Sequence, residues 1–288
     1  ALTHNPVQDM RGYGTWNQPP GTMSDVSAML LSTAESLCNG FDVKDIADQF
    51  VKWYQQGYWG AHNEVFDIGG ATRQAITRVM NGISPELSGG MTEHDNGNGS
   101  LMRVLPLSFF LATEPSVGQR FKVVKLVSGI THHHFRSIMA CFIYTEFGRE
   151  LLLNSEKLVA YRNMQAIVNK YISENAFSVQ EVQLFDRLLQ HDITHFEKNS
   201  IQSSGYVLHT LESSLWCFLT TSSYADAVLK AVNLGGDTDT TACITGGLAG
   251  THYGLSAIPD HWIKELARQN DILKLAERFA KAISRYSA

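Results

Sequence analysis

Cysteine is scarce and never clustered: Cys38, Cys141, Cys217 and Cys243 are far apart, each lies in an apolar run, and no Cys-x-x-Cys pair occurs. That spacing argues against zinc and fits buried free thiols in a reducing compartment. Basic charge is short as well. The 23 Lys and Arg against 28 Asp and Glu leave a formal charge of −5, which argues against a nucleic-acid surface with its clustered positive excess. No stretch of about 18 apolar residues is available to span a membrane. The first residues, ALTHNPVQDM, have neither the basic start nor the apolar core of a signal peptide, so a cytoplasmic location is expected. Strand-like alternation is scarce and no fixed-period repeat is visible, which disfavours a solenoid. A tether is missing too. The longest polar or glycine-rich segment, SPELSGGMTEHDNGNGS at residues 84–100, runs straight into the apolar LMRVLPLSFFL and does not resemble a flexible linker.

What remains is the composition of a soluble globular protein, with 44% hydrophobic and 18% charged residues in a chain of 288. That length can bury a sizeable core, and without a linker a single domain is favoured. Apolar residues recur mainly at three- and four-residue spacing. Val26, Met29, Leu30, Thr33 and Leu37 mark one face of a helix with Gly40 as its stop, FDVKDIADQFVKWYQQG repeats the pattern, and SIMACFIYTEFG is expected to end at Gly148. Further helices are predicted over 156–174, 178–191, 205–220, 223–233, 239–253 and 259–285. The fold class is therefore all-α, a bundle around one core. Trp216 and Met23, Met29 and Met102 read as core residues.

Two segments carry chemistry. In GTMSDVSAML, residues 21–30, Asp25 stands between Ser24 and Ser27 just before an apolar run; on local grounds this is a helix cap, one side-chain oxygen accepting from an unpaired N–H of the first turn. NLGGDTDTTACITGGLAGTHYG, residues 233–254, gathers Asp237, Asp239, Thr240 and Thr241 at a helix start. The helix continues with Ala242, Gly246, Gly247, Ala249 and Gly250, small residues that let another backbone pack close. A buried start would confine two carboxylates within about one turn, where repulsion is severe unless a cation neutralises them. Carboxylate and hydroxyl oxygens suit hard cations such as Mg²⁺, Mn²⁺ or Ca²⁺. The competing reading is an Asp cap on an ordinary core helix.

GGDTDTTACITGGLAGTHYGLSAIPDHW resembles the C-terminal signature of the ADP-ribosylglycohydrolases, and GYGTWNQPPGTMSDVS, FDIGGATRQAI, GNGSLMRVLPL, THHH and SGYVLHTLESSLWCFL agree with that family in order. The resemblance runs over almost the whole chain and treats residues 1–288 as one domain. It implies a single-domain orthogonal helical bundle with a two-metal centre, Mg²⁺ or Mn²⁺, at the base of an ADP-ribose cleft. Carried over by motif, the ligands are Ser24 and Asp25 from the first half and Asp237, Asp239 and Thr240 from the second. Asp25 and Asp239 are the expected catalytic carboxylates, Asp25 as the base that activates water. Asn98, Gly99 and Ser100, at the start of an apolar helix, are expected to cradle diphosphate. His132 of the Thr131-His132 pair is expected beside ribose and phosphate, with His133 and His134 as surface or packing residues. Gly205 and Tyr206 flank the cleft, where the aromatic could stack on ribose or adenine. Asp67 could pair with a guanidinium leaving group.

Two departures from the family pattern stand out. Val26 occupies the place of a second carboxylate, which should weaken one metal position by a few kcal/mol, and Val26→Asp should then raise Mn²⁺ affinity and turnover. The chain also begins beyond the family's usual N-terminal Gly-Asp-Ala-Leu-Gly-like helix. The expected function is removal of ADP-ribose from a modified side chain, arginine being favoured, with ADP-ribose or an ADP-ribosylated protein as partner. The alternatives are a catalytically impaired relative serving a binding, regulatory or crystallin-like role, and a hydrolase of another small N-glycoside or nucleotide.

Overall fold

A computed structural model describes residues 5–154 and 156–286. Among these residues are fifteen α-helices, five short 3₁₀ turns and no strand. The first half holds α1 (Asp25–Leu37), α2 (Val43–Gln56), α3 (Gly70–Met80), α4 (Pro85–Ser88), α5 (Leu105–Phe110), α6 (Val117–Gly129) and α7 (Phe135–Leu153). The second holds α8 (Lys157–Ser173), α9 (Val179–Gln183), α10 (Asp186–Leu189), α11 (Val207–Leu219), α12 (Tyr224–Val232), α13 (Thr238–Tyr253), α14 (Asp260–Glu265) and α15 (Gln269–Tyr286). No helix among the described residues is long and apolar enough to cross a membrane.

Local sequence explains most of these boundaries. Asp42 caps α2 by accepting from the backbone N–H groups of Lys44 and Asp45, and Gly57, at φ 65°, closes the helix with its N–H on the Trp53 carbonyl, a turn that glycine enters without strain. The face carrying Ile46, Ala47, Phe50 and Trp53 is buried. Helix α7, buried on nearly every side, contacts α5, α6, α8, α11 and α13 and forms the axis of one contiguous apolar core. A deeply buried ion pair on it is bidentate: Arg120 of α6 donates from Nε and Nη2 to Glu146 at 2.7 and 2.8 Å. Carbonyls of Glu114 and Pro115 take the remaining nitrogen.

Three expectations about helix ends are corrected. Gly148 does not stop α7, which continues to Leu153; a Cβ there would lie 2.5 Å from the Ser108 hydroxyl, so the glycine serves close packing against α5. The 178–191 segment is two short helices, α9 and α10, parted where Phe185 puts its ring into the core opposite Phe135. The 259–285 segment also divides. The N-terminal segment docks between α14 and α15: Ala267 donates to the Gly21 carbonyl at 3.0 Å, and a Cβ on Gly21 would fall 1.8 Å from the Glu265 carbonyl oxygen. The polar stretch 84–100 is tied down as expected, by isolated bridges Gly90 to His132 and Gly97 to Tyr206.

Candidate functional site

The start of α1 meets the start of α13. Ser24 occupies the N-cap position of α1 and Asp237 that of α13, yet neither side chain makes a capping bond. The Ser24 hydroxyl instead donates to Asp239 Oδ2 at 2.8 Å, across a separation of 215 residues. The cap expected at GTMSDVSAML is therefore replaced by a tertiary bond that joins the two acidic segments.

Asp25, at the head of α1, is buried, and one oxygen each from Asp25, Asp67 and Asp239 lies within 4.8 Å of the other two. Burial, with the charges of Asp67, Asp239 and Asp237, pushes Asp25 up to about 8. Asp239 is exposed by surface area, yet the protein atoms around its carboxyl raise it by desolvation, against the Ser24 bond that lowers it, and Asp237 raises it further. Asp67 is raised as well, first by burial and then by Asp237, with Trp16 opposing through a hydrogen bond. The buried carboxylate is thus Asp25, rather than the pair on α13 as the sequence suggests. No Lys or Arg lines the adjoining cavity among the described residues. On this side the carboxylate oxygens crowd together without a cationic side chain, Arg11 lining a second cavity beyond Asp67 and Asp239 rather than this one, and such oxygens suit a hard divalent cation.

That cavity, about 440 Å³, lies over Asp25, Asp67, Asp237, Asp239 and Thr240. Asn98 and Gly99 form one wall, but their chemistry differs from a bare phosphate cradle. The Asn98 backbone N–H is engaged by the Gly205 carbonyl at 3.0 Å, and its side-chain amide donates to Asp237 Oδ2 at 2.7 Å and Thr210 Oγ1 at 2.9 Å. Asn98 holds Asp237 in place. Ser100 is turned away, fully buried against Ser128 and Cys141. Gly205 admits Asp237 closely, since a Cβ there would stand 3.2 Å from its carboxylate. Tyr206 does not line the cavity; its ring stands edge-on to His209 at 5.0 Å between centroids.

His132 reaches the cavity from a buried position, while His133 packs on Gly129 and His134 caps α7 by accepting from Arg136 N–H at 3.3 Å. Residues that sequence reasoning passed over complete the wall, Gly69 to Thr72 at the start of α3 and His94, and Met102, buried in the core as expected, also reaches it. Their signal was the Gly-Gly-Ala-Thr run after Asp67, which begins a helix with no side-chain cap and so leaves its first N–H groups available to an acceptor in the cavity. Val26 packs in the apolar core. A second cavity of about 660 Å³ opens on the other side of Asp67 and Asp239, against Tyr13, Trp16 and Phe66.

The ADP-ribosylglycohydrolase family model matches residues 1–288. The chain belongs to the ADP-ribosylglycohydrolase family. ADP-ribosylarginine hydrolase Tri1 of Serratia proteamaculans is 32% identical over 278 residues, which cover 94% of this chain and 70% of that protein. ADP-ribosyl-[dinitrogen reductase] glycohydrolase of Rhodospirillum rubrum is 30% identical over 260 residues, 89% of this chain and 78% of the relative. A solved structure described as an ADP-ribosylglycohydrolase-related protein complex superposes with a TM-score of 0.78 at 28% identity, covering 98% of this chain and 88% of the other. The structural match agrees with the all-helical architecture.

Proposed function

We propose that the protein hydrolyses the N-glycosidic bond between ADP-ribose and a modified protein side chain, arginine by preference. The observation that carries this reading is the carboxylate cluster joined across 215 residues by the Ser24 to Asp239 bond at the floor of a cavity. Relatives named as ADP-ribosylarginine and ADP-ribosyl-dinitrogen reductase hydrolases support the substrate class. Asp25, Asp67 and Asp239, with Ser24, Asp237 and Thr240 beside them, would hold one or two Mg²⁺ or Mn²⁺ ions. A bound divalent cation neutralises the carboxylates and orients and polarises ribose hydroxyls.

Within that frame, the ribose lies over Asp25 and Asp239 and the diphosphate faces the uncapped start of α3, near His132. Asp25, ionised once neighbouring charge is balanced, takes a proton from the attacking water as the C–N bond breaks. The oxocarbenium-like centre gains the hydroxyl, and the guanidinium of the substrate leaves as neutral guanidine, which recovers its proton from Asp25. Asp239, locked by Ser24, places negative charge beside the developing cation. Asp67 contributes to the oxygen set and borders the second cavity, from which a guanidinium would approach. Calorimetric titration with Mn²⁺, Mg²⁺ and ADP-ribose, alongside release of ADP-ribose from an ADP-ribosylated arginine substrate, tests the reading. Metal-dependent release that falls at least 100-fold in Asp25→Asn and Asp239→Asn is expected; binding of neither metal nor ADP-ribose would overturn it.

A further inference from the structure

Arg103 is fully buried and has no carboxylate partner among the described residues. Its guanidinium donates to the Val127 carbonyl at 3.1 Å and to Thr131 Oγ1 at 2.5 Å, and its central carbon lies 4.6 Å from the centre of the Phe50 ring. Nε finds no acceptor. A buried cation held by neutral acceptors is costly, so its position calls for a role.

A guanidinium only donates, so Thr131 Oγ1 must accept from Arg103. Thr131 is itself fully buried, and its oxygen lies 2.8 Å from His132 Nδ1. No other acceptor for the threonine proton is present among the described residues. The hydroxyl hydrogen therefore points at Nδ1, which must be the lone-pair nitrogen, and the ring proton resides on Nε2. Nε2 is the nitrogen near the cavity wall, 3.4 and 3.5 Å from where Cβ atoms on Gly97 and Gly99 would sit. It has no protein partner among the described residues. Backbone bonds fix the ring's base: His132 N–H donates to the Ser128 carbonyl at 2.8 Å, and the Ser128 hydroxyl returns to the His132 carbonyl at 2.9 Å.

We infer that Arg103, acting through Thr131, is a positioning residue that locks His132 in the neutral Nε2–H tautomer and so presents a fixed hydrogen-bond donor to an oxygen-rich, anionic ligand in the cavity. Burial and the Arg103 charge hold the imidazole down to about 3, so the ring donates as a neutral group. The ligand part of this inference rests on the proposed ADP-ribose site; the tautomer does not.

Long-range ¹H–¹⁵N correlation spectra of the uniformly labelled protein at pH 7 test it without any ligand, with the His132 signals assigned by their loss in His132→Gln. One pyridine-like Nδ1 and one pyrrole-like Nε2 are expected in the wild type. Thr131→Val should convert His132 to a mixture or to the Nδ1–H form, Thr131→Ser should restore the wild-type pattern, and Arg103→Met should act like Thr131→Val. An Nδ1–H or doubly protonated ring in the wild type, or an unchanged tautomer in folded Thr131→Val, would overturn the inference; the threonine variants keep the test intact if Arg103→Met fails to fold. ADP-ribose affinity measured by calorimetry should fall about tenfold in Thr131→Val and return in Thr131→Ser. If the tautomer behaves as expected while wild type binds no ADP-ribose, the relay stands and the ADP-ribose reading falls.

Discussion

Asp25 carries the sharpest conflict in the molecule, a carboxylate placed in a buried position with three other aspartates acting on it. In the metal-free protein its proton is bound more tightly folded than unfolded. The stability this adds is fully present below the ordinary value of 3.8 and is lost as pH rises through about 8. Asp25→Asn keeps the shape without the titration. In the presence of EDTA, the variant and wild type should be of similar stability near pH 4, and the variant should become the more stable by a few kcal/mol at pH 8.5. Urea denaturation at several pH values measures this, and a difference that stays constant with pH would refute the charge-crowding account. The same reasoning bears on Val26. An aspartate placed there would add another carboxylate beside Asp25 at a buried position, so Val26→Asp should gain Mn²⁺ affinity while losing stability when the metal is removed.

At the level of elements, the small residues of α13 were expected to admit another backbone, and they admit side chains instead. Gly246 faces Tyr224 and Val228 of α12, and Gly250 faces the Tyr224 ring. Gly247 is tighter. A Cβ there would lie 2.7 Å from Leu105 and 2.8 Å from the Tyr144 hydroxyl, which is itself fixed by a 3.0 Å bond to the Ile244 carbonyl. Gly247→Ala should therefore destabilise the protein by about 1–3 kcal/mol through overpacking. At Gly250 the nearest atom is an ordinary 3.8 Å away, so alanine there should be neutral or stabilising by up to about 1 kcal/mol, from helix propensity. Thermal denaturation of the two variants distinguishes them. Helices whose fate depends on their own periodicity, such as α8, α11 and α12, were legible within two residues at each end. The missed boundaries, at Gly148, Phe185 and Leu266 to Arg268, are set by distant partners: Ser108, the Phe135 cluster and Gly21. No local pattern encodes those contacts.

Across the whole molecule, the acidic residues of the site could be named from motifs, but their division of labour could not, because burial and hydrogen-bond direction are tertiary properties. Asn98 proves to hold Asp237, Ser100 to face the core, and Thr72 to line the cavity. The site is also where the two ends of the fold are joined, since α1 and α13 meet there through like-charged residues and one hydroxyl bond. Repulsion works against that junction, and a divalent cation that binds the assembled oxygen set and not the unfolded chain must reinforce it. Ligand at about 100 times its dissociation constant adds roughly 2.7 kcal/mol, which in a chain of this size corresponds to a rise of roughly 5 °C in Tm. Mn²⁺ should produce that rise in the wild type and EDTA should reverse it. Asp239→Asn, which removes a charge from the set while keeping an acceptor for Ser24, should shrink the rise to less than half. Ser36→Ala, which removes a hydroxyl that donates to Asp45 of α2 at 2.5 Å at the opposite end of α1 from the site, should leave the rise intact even though it lowers the starting Tm. An equal Mn²⁺ response in all three proteins would mean that the cation binds elsewhere and that the junction of α1 with α13 is held by packing alone.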